Sequence, residues 1–232
     1  MPSRRQQARS GSPLTTAAIV DAGIDLADAD GLDALSMRRL ADRLGVAPMS
    51  LYRHVDTKDQ LLAAMTEEIG DRYPYPPVVG TGWTWRDRVR VAGEVDWKLY
   101  REHPWVVLAY AVPRYAFGPS GLACLAWLVE GFTELGVTTA EAADLTFVVW
   151  SQISGAALPL AGRSLFVPDP GTSSGDGLAG LLDGRVEAPD ALLDLVGGSW
   201  RPDPQRQLRQ ALEALCDGLE QQIGARAAQP RS

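Results

Sequence analysis

The chain has 232 residues, of which 46% are hydrophobic and 22% charged, proportions that exclude a wholly disordered protein. A net charge of −7 first argues against a nucleic-acid partner, but the charge is unevenly distributed: residues 1–58 carry 8 Lys+Arg against 7 Asp+Glu, and residues 59–232 carry 14 against 22. Because phosphate binding needs only a local positive surface, DNA binding by the N-terminal part stays open.

Neither targeting nor metal binding is indicated. No unbroken apolar run reaches the roughly 20 residues of a membrane span, and the basic N-terminus has no apolar segment behind it, so we predict a cytoplasmic protein without membrane contact. Cys124 and Cys216 lie in apolar helical patterns and are predicted to be buried. With His54 and His103 as the only histidines, neither a metal site nor another cofactor is expected.

The N-terminal part predicts a flexible basic arm at residues 1–13 and a helical domain at 14–72. Helical spacing and capping residues indicate four helices there. They are expected to begin near Thr15 or Thr16, at Ser36, at Pro48, and at Asp56 or Thr57. Gly31 and Gly45 are placed to end the first two, and the third extends to His54.

Residues 73–82 hold three prolines and two glycines and are predicted to be a linker. Beyond it we predict a second helical domain at 83–228. Its expected helices cover 83–102, 104–111, 118–135, 139–160 and 204–226, with two short ones near 177–183 and 188–196. No segment alternates as a strand would, so the predicted fold is all-α, a three-helix helix-turn-helix domain followed by a larger helical domain.

Residues 36–62 carry the most specific pattern in the chain. A helix-turn-helix needs a small residue where its two helices cross, a turn residue, and apolar residues that fix the crossing angle. Ala41, Gly45 and Leu51 have that spacing, and Leu40, Leu44 and Val46 complete the apolar contacts. The pattern therefore predicts a DNA-binding motif.

The stretch from Leu14 to Leu62 resembles the DNA-binding domain of TetR-family transcriptional regulators. The resemblance rests on Ser36-Met37-Arg38-Arg39-Leu40-Ala41, Leu44-Gly45-Val46, Leu51-Tyr52, His54 and Lys58. Leu-Tyr-x-His-Val before the lysine places the chain nearest to the tetracycline-repressor-like branch. Arg53 departs from that branch, which has an aromatic residue there. Pro48 and Met49 also differ, which implies a different operator.

The resemblance implies specific roles in DNA binding. Arg38 would read a guanine edge, and the recognition helix would present Pro48, Met49 and Ser50 to the bases. The expected phosphate contacts are Ser36, Met37, Tyr52, His54 and Lys58. Arg39 and Arg43 are expected at the solvated surface.

The second domain is expected to bind a small molecule and to form a homodimer. The chain has seven tryptophans, and five of them lie in helices expected to enclose a pocket: Trp85, Trp97, Trp105, Trp127 and Trp150. The expected pocket residues are Asp96, Tyr100, Trp127, Phe147 and Trp150, with Arg114, Ser151 and Gln152 as further polar candidates. His103 is expected at a helix end. The resemblance to the TetR family implies that the last long helices pair two copies across a twofold axis, and the apolar stripe on 204–226 and the helix at 139–160 fit that role.

These observations predict a DNA-binding repressor that a hydrophobic or aromatic inducer releases from a palindromic operator. The alternative is a DNA-binding regulator without a small-molecule inducer, either a constitutive repressor or an activator. An enzyme is not expected, because the sequence has no phosphate-binding glycine loop, nucleophile elbow or paired-histidine metal motif.

Overall fold

The computed structural model describes residues 14–165, 189–192 and 202–227, and this part of the chain is helical without strands, as the sequence predicted. The predicted arm at 1–13 and the helix predicted at 177–183 lie outside the described residues. Of the helix predicted at 188–196, only a 3-10 turn, Asp190–Leu192, is described.

Four helices form the N-terminal part: α1 (Thr16–Asp30), α2 (Met37–Leu44), α3 (Pro48–Leu51) and α4 (Lys58–Arg72). Hydroxyl oxygens cap three of them at Thr15, Ser36 and Thr57, each accepting a backbone N–H three residues further on. Gly45 ends α2 at φ 68°, a left-handed conformation that glycine adopts without a Cβ clash. The third helix ends at Leu51 rather than at the predicted His54, because a turn follows it.

Six helices form the remainder of the described chain: α5 (Trp85–Glu102), α6 (Val106–Ala109), α7 (Pro113–Ala116), α8 (Pro119–Thr133), α9 (Thr139–Leu165) and α10 (Pro204–Ala227). Helix α5 begins two residues later than predicted, because Thr84 and Asp87 form a reciprocal capping box. The short α7 was not predicted. Helix α9 continues through Pro159, where the flanking Ala157 and Ala161 are fully buried.

Helices α5 and α9 occupy the centre of this second group, each in contact with α8 and α10. The predicted apolar stripe on α10 is used largely inside the chain: Leu208 and Leu212 are buried, and Leu212 lies against Gly93 of α5. These two residues therefore have little apolar surface left for a second copy, and the pairing of two copies through α10 stays a prediction.

Helix α9 combines a buried face with an exposed apolar one. By length and composition alone, its segment Thr139–Gly162 is apolar enough to cross a membrane. Inside the described chain, 28% of its most apolar stretch is buried. The prediction of no membrane span rested on unbroken apolar runs, which polar residues interrupt here. Val148 and Leu158 lie on the exposed face, 47% and 51% exposed.

Candidate DNA-binding surface and ligand cavity

Helix α3 presents two large side chains to solvent. Met49 is 72% exposed and Tyr52, directly after the helix, is 41% exposed, while Leu51 between them is fully buried. Leu40 and Ala41 are buried on the facing helix, as the helix-turn-helix spacing predicted. Burial of one face holds the other toward solvent, so Met49 and Tyr52 are available to a partner.

The arginines of α2 separate into paired and unpaired groups. Arg39 forms an ion pair with Asp30 at 2.6 Å, and Arg43 lies 3.4 Å from Asp25, both acids being on α1. Arg38 is exposed and forms no ion pair within the described part of the chain. Its guanidinium is therefore available for a planar acceptor such as a guanine edge.

The start of α2 has fewer groups available for DNA contact than the sequence suggested. The Ser36 hydroxyl oxygen already accepts the Arg39 backbone N–H at 3.3 Å. Met37 is only 9% exposed and packs in the hydrophobic core. Its side chain is therefore directed away from any partner, and only its backbone N–H at the helix start remains for a phosphate.

The other residues proposed for DNA contact lie around α3 and the start of α4. Pro48, His54 and Lys58 are exposed, whereas Ser50 is half-buried. Lys58 is the first residue of α4, next to the Thr57 cap. The positive charge of Lys58 and the backbone N–H groups of the helix N-terminus both attract a phosphate group at this position.

A cavity of about 310 Å³ lies among α4 to α9. Its walls are mostly aromatic and apolar, as is typical of small-molecule sites. Most of the lining comes from Gly70, Tyr73, Tyr75, Asp96, Leu99, Tyr100, Val107, Tyr110, Ala116, Phe117, Ser120, Cys124, Phe147, Trp150, Ser151 and Ser154.

A hydrogen-bond chain crosses this cavity wall. The Trp150 indole N–H donates to the Tyr75 hydroxyl oxygen at 3.0 Å, and that hydroxyl donates to Asp96 Oδ2 at 2.8 Å. Burial raises the pKa of Asp96 to about 7, although the hydrogen bond from Tyr75 opposes this shift. Asp96 therefore changes charge near neutral pH.

Helix α4 joins the cavity to the helix-turn-helix. Near its C-terminal end, Gly70 lines the cavity, Glu67 accepts the Ser120 backbone N–H at 2.8 Å, and the Thr66 carbonyl accepts the Tyr110 hydroxyl at 3.3 Å. Near its start, Asp59 forms an ion pair at 2.8 Å with Arg114 of α7. The cavity walls are thus tied to α4 along much of its length.

A second connection runs from α1 to the end of α5. Asp28 accepts the Trp105 indole N–H at 2.8 Å and lies 2.9 Å from His103 Nδ1. His103 caps the C-terminus of α5 through its backbone N–H, as expected of a helix-end residue.

Comparison with known proteins agrees with this arrangement. The model for bacterial regulatory proteins of the tetR family matches residues 19–65, the whole helix-turn-helix. The chain belongs to the TetR family.

Two curated relatives extend beyond this domain. The transcriptional repressor DrrR1 of Streptomyces coeruleorubidus is 34% identical over 66% of this TetR-family chain and 56% of its own length. A transcriptional regulator of Saccharopolyspora erythraea is 36% identical, over 63% of each chain. The chain therefore spans less than two thirds of the length of these relatives.

The solved structure of ActR from Streptomyces coelicolor covers almost the whole TetR-family chain. Without ligand it has a TM-score of 0.71 and 26% identity, covering 93% of this chain and 99% of its own. A complex of ActR with actinorhodin has a TM-score of 0.70 and 28% identity, covering 92% and 100%.

Four of the five residues that the sequence proposed for the ligand pocket line the cavity: Asp96, Tyr100, Phe147 and Trp150. Trp127 does not. Its indole N–H donates to the Pro76 carbonyl at 2.9 Å, and its ring packs on Tyr75, so it supports the wall from behind.

The further polar candidates divide in the same way. Ser151 lines the cavity, but Gln152 does not. Arg114 is held in its ion pair with Asp59, away from the cavity. Of the five tryptophans expected around a pocket, only Trp150 lines this one.

Sequence reasoning missed the aromatic residues outside the long helices. Tyr73 and Tyr75 come from the segment interpreted as a linker, and Tyr110 and Phe117 flank the short helix α7. Two tyrosines among prolines at 73–77 were the available indication, because a solvated linker has no need of aromatic rings.

Proposed function

We propose that this TetR-family chain is a homodimeric cytoplasmic repressor that leaves a palindromic operator when a hydrophobic or aromatic small molecule fills its cavity. The observation that carries the proposal is the course of α4, whose first residue is Lys58 beside the recognition helix and whose Gly70 lines the cavity. A ligand that displaces the cavity walls therefore acts on the helix that supports the DNA-binding motif.

Exposed and unpaired groups support DNA reading by α2 and α3. We assign base contacts to Arg38 and Met49, and phosphate contacts to Tyr52, His54 and Lys58. An Arg guanidinium matches the two acceptors of guanine, and an apolar side chain suits a thymine methyl.

Relatives support the repressor and ligand parts of the proposal. DrrR1 is named a transcriptional repressor, and ActR has been solved with actinorhodin. In thermodynamic terms the ligand needs only to bind the DNA-free arrangement more tightly than the DNA-bound one. A hundredfold loss of operator affinity corresponds to about 3 kcal/mol of differential binding.

The exposed face of α9 supports dimerisation. Val148, Gln152, Gly155 and Pro159 lie at helical spacing and are all exposed, forming a stripe that is mainly small or apolar. Gly155 has open space around its Cβ position, which allows close approach of a second helix. Two recognition helices about one DNA turn apart require such a dimer.

Selection from a random DNA pool, repeated over a range of salt concentrations, tests the DNA-binding part. We expect enrichment of a palindrome with half-sites about one helical turn apart and affinity that falls steeply with salt. Binding without enrichment would refute sequence-specific repression by this chain alone.

A charge on α9 tests the dimer. Val148→Glu should shift the protein to a monomer in analytical ultracentrifugation and abolish operator binding, because a buried unpaired carboxylate is strongly unfavourable. The control is Glu213→Gln on α10, an exposed change that should leave both properties unaltered. An unchanged dimer in Val148→Glu would place the interface elsewhere.

A further inference from the structure

The cavity contains one charged group among its described lining residues, and that group is a carboxylate. Asp96 lies in a wall of aromatic rings that includes Tyr100, Phe117 and Trp150. No lysine, arginine or histidine of the described chain lines the cavity. The described residues therefore supply no counter-ion for Asp96 within this site.

One oxygen of Asp96 is open to the cavity. Oδ2 accepts the Tyr75 hydroxyl hydrogen, whereas Oδ1 accepts no hydrogen bond from the described residues. Oδ1 is also not sealed away from solvent, since the one fully enclosed side-chain atom without a partner in the described chain is Nε of Arg88. A bound molecule can therefore reach Oδ1 directly.

The neighbouring titratable groups stay neutral near pH 7. Burial raises the pKa of Cys124 on α8 to about 11 and raises the pKa values of the surrounding tyrosines well above their usual range. These tyrosines are Tyr75 before α5, Tyr100 on α5 and Tyr110 after α6. On α4, Glu67 accepts the Ser120 backbone N–H and is not among the lining residues of the cavity. Among the described lining residues, Asp96 is thus the one whose side chain titrates near neutrality.

We propose that the cavity selects molecules with an aromatic body and a protonated amine, whose ammonium group binds Asp96 Oδ1. This rests on the proposed sensing function and specifies its ligand class. A hydrogen bond from an ammonium to a carboxylate is about twice as strong as one between neutral groups. Aromatic faces also attract cations, so the ring-lined walls suit the same ligand.

Proton linkage follows from this arrangement. An ammonium favours the ionised form of Asp96, so binding below pH 7 releases the carboxyl proton. Affinity for an amine should therefore rise between pH 6 and pH 8, while affinity for a neutral ligand of the same shape should not rise.

Three anthracene derivatives test the proposal on the full chain. The compounds are 9-(aminomethyl)anthracene, 9-(hydroxymethyl)anthracene and anthracene-9-carboxylate, which share one ring system and differ in charge. Binding is measured by calorimetry and by tryptophan quenching at pH 6, 7 and 8. At pH 8 we expect the affinity for the amine to exceed that for the alcohol by about tenfold or more, and the carboxylate to bind most weakly.

Two variants locate the preference. Asp96→Asn keeps the shape and one acceptor, and should bring the amine and the alcohol to equal affinity. The control is Glu94→Gln, which removes a charge on the same helix that pairs with Arg209 outside the cavity and should keep the preference. The pH series on the unaltered protein gives an independent readout should Asp96→Asn fold poorly.

The outcomes separate this inference from the proposed function. Equal binding of amine and alcohol by the unaltered protein, a preference that survives in Asp96→Asn, or no binding of any compound overturns the role of Asp96. If the amine binds with the expected preference but the operator complex persists, ligand-released repression fails and the amine selectivity stands. If the alcohol binds equally well and releases the operator, the reverse holds.

Discussion

Replacing Asp28 with alanine should destabilise the contact between the helix-turn-helix and the helices that enclose the cavity. The carboxylate accepts the Trp105 indole N–H at 2.8 Å and lies 2.9 Å from His103 Nδ1. Trp105 is only 1% exposed, so its N–H has little access to water once the acceptor is removed.

The cost follows from that burial. An unsatisfied buried donor costs about 1–3 kcal/mol. For a protein of this size each kcal/mol lowers the melting temperature by about 2–4 °C, so Asp28→Ala should melt about 2–12 °C lower. Asp28→Asn keeps one acceptor for Trp105, so its melting temperature should lie between those of the unaltered protein and of Asp28→Ala.

Thermal denaturation followed by circular dichroism measures the effect. The control is Asp25→Ala, which removes an acid from the same helix but breaks only an exposed ion pair with Arg43 at 3.4 Å, worth about 1 kcal/mol or less. Equal melting temperatures for the Asp28→Ala and Asp25→Ala proteins would refute the reasoning, because burial would then not decide the cost.

Three further predictions concern DNA binding and pH. Arg38→Ala should cost about 1–3 kcal/mol of operator binding and relax specificity at one base pair. Arg39→Ala should change specificity little, because the Arg39 side chain is already ion-paired within the chain. Equal effects of the two variants in a binding-site selection would contradict the assignment of Arg38. Lys58→Ala should lower the slope of log affinity against log salt by about one, and an unaltered slope would remove it from the phosphate contacts. Because burial raises the pKa of Asp96 to about 7 from 3.8, its contribution to stability is full below about pH 4 and is lost as the pH rises through 7, by at most about 1.4 kcal/mol per pH unit. Asp96→Asn should therefore melt above the unaltered protein at pH 8 and lose most of that advantage at pH 5; a constant difference would argue against titration of this group.

The helix-turn-helix could be predicted from the sequence because its determinants are local. The caps at Thr15 and Ser36, the left-handed turn at Gly45 and the small residue Ala41 act within a few residues of their own positions. Helical periodicity likewise indicated the long helices, and departures such as the late start of α5 came from local capping choices.

The cavity depended on contacts between distant parts of the chain. Tyr75 looked like part of a linker, yet tertiary packing places it against Asp96, 21 residues further on, and Trp150, 75 residues further on. Trp127 had the same aromatic character as Trp150, but packing directs it behind the wall. Composition shows that aromatic residues are present, and only the packed helices decide which rings face the empty space.

The helical class, the DNA-binding motif and its buried and exposed faces follow from the sequence, because the spacing of apolar residues along a helix specifies which side is covered. Only the packed helices show that Arg39 is ion-paired while Arg38 has no ion pair among the described residues, and that Leu208 and Leu212 are buried inside the chain. The physical reason is that an amphipathic stripe or a surface arginine has the same local pattern whatever it meets, and its partner is set by residues far away in sequence.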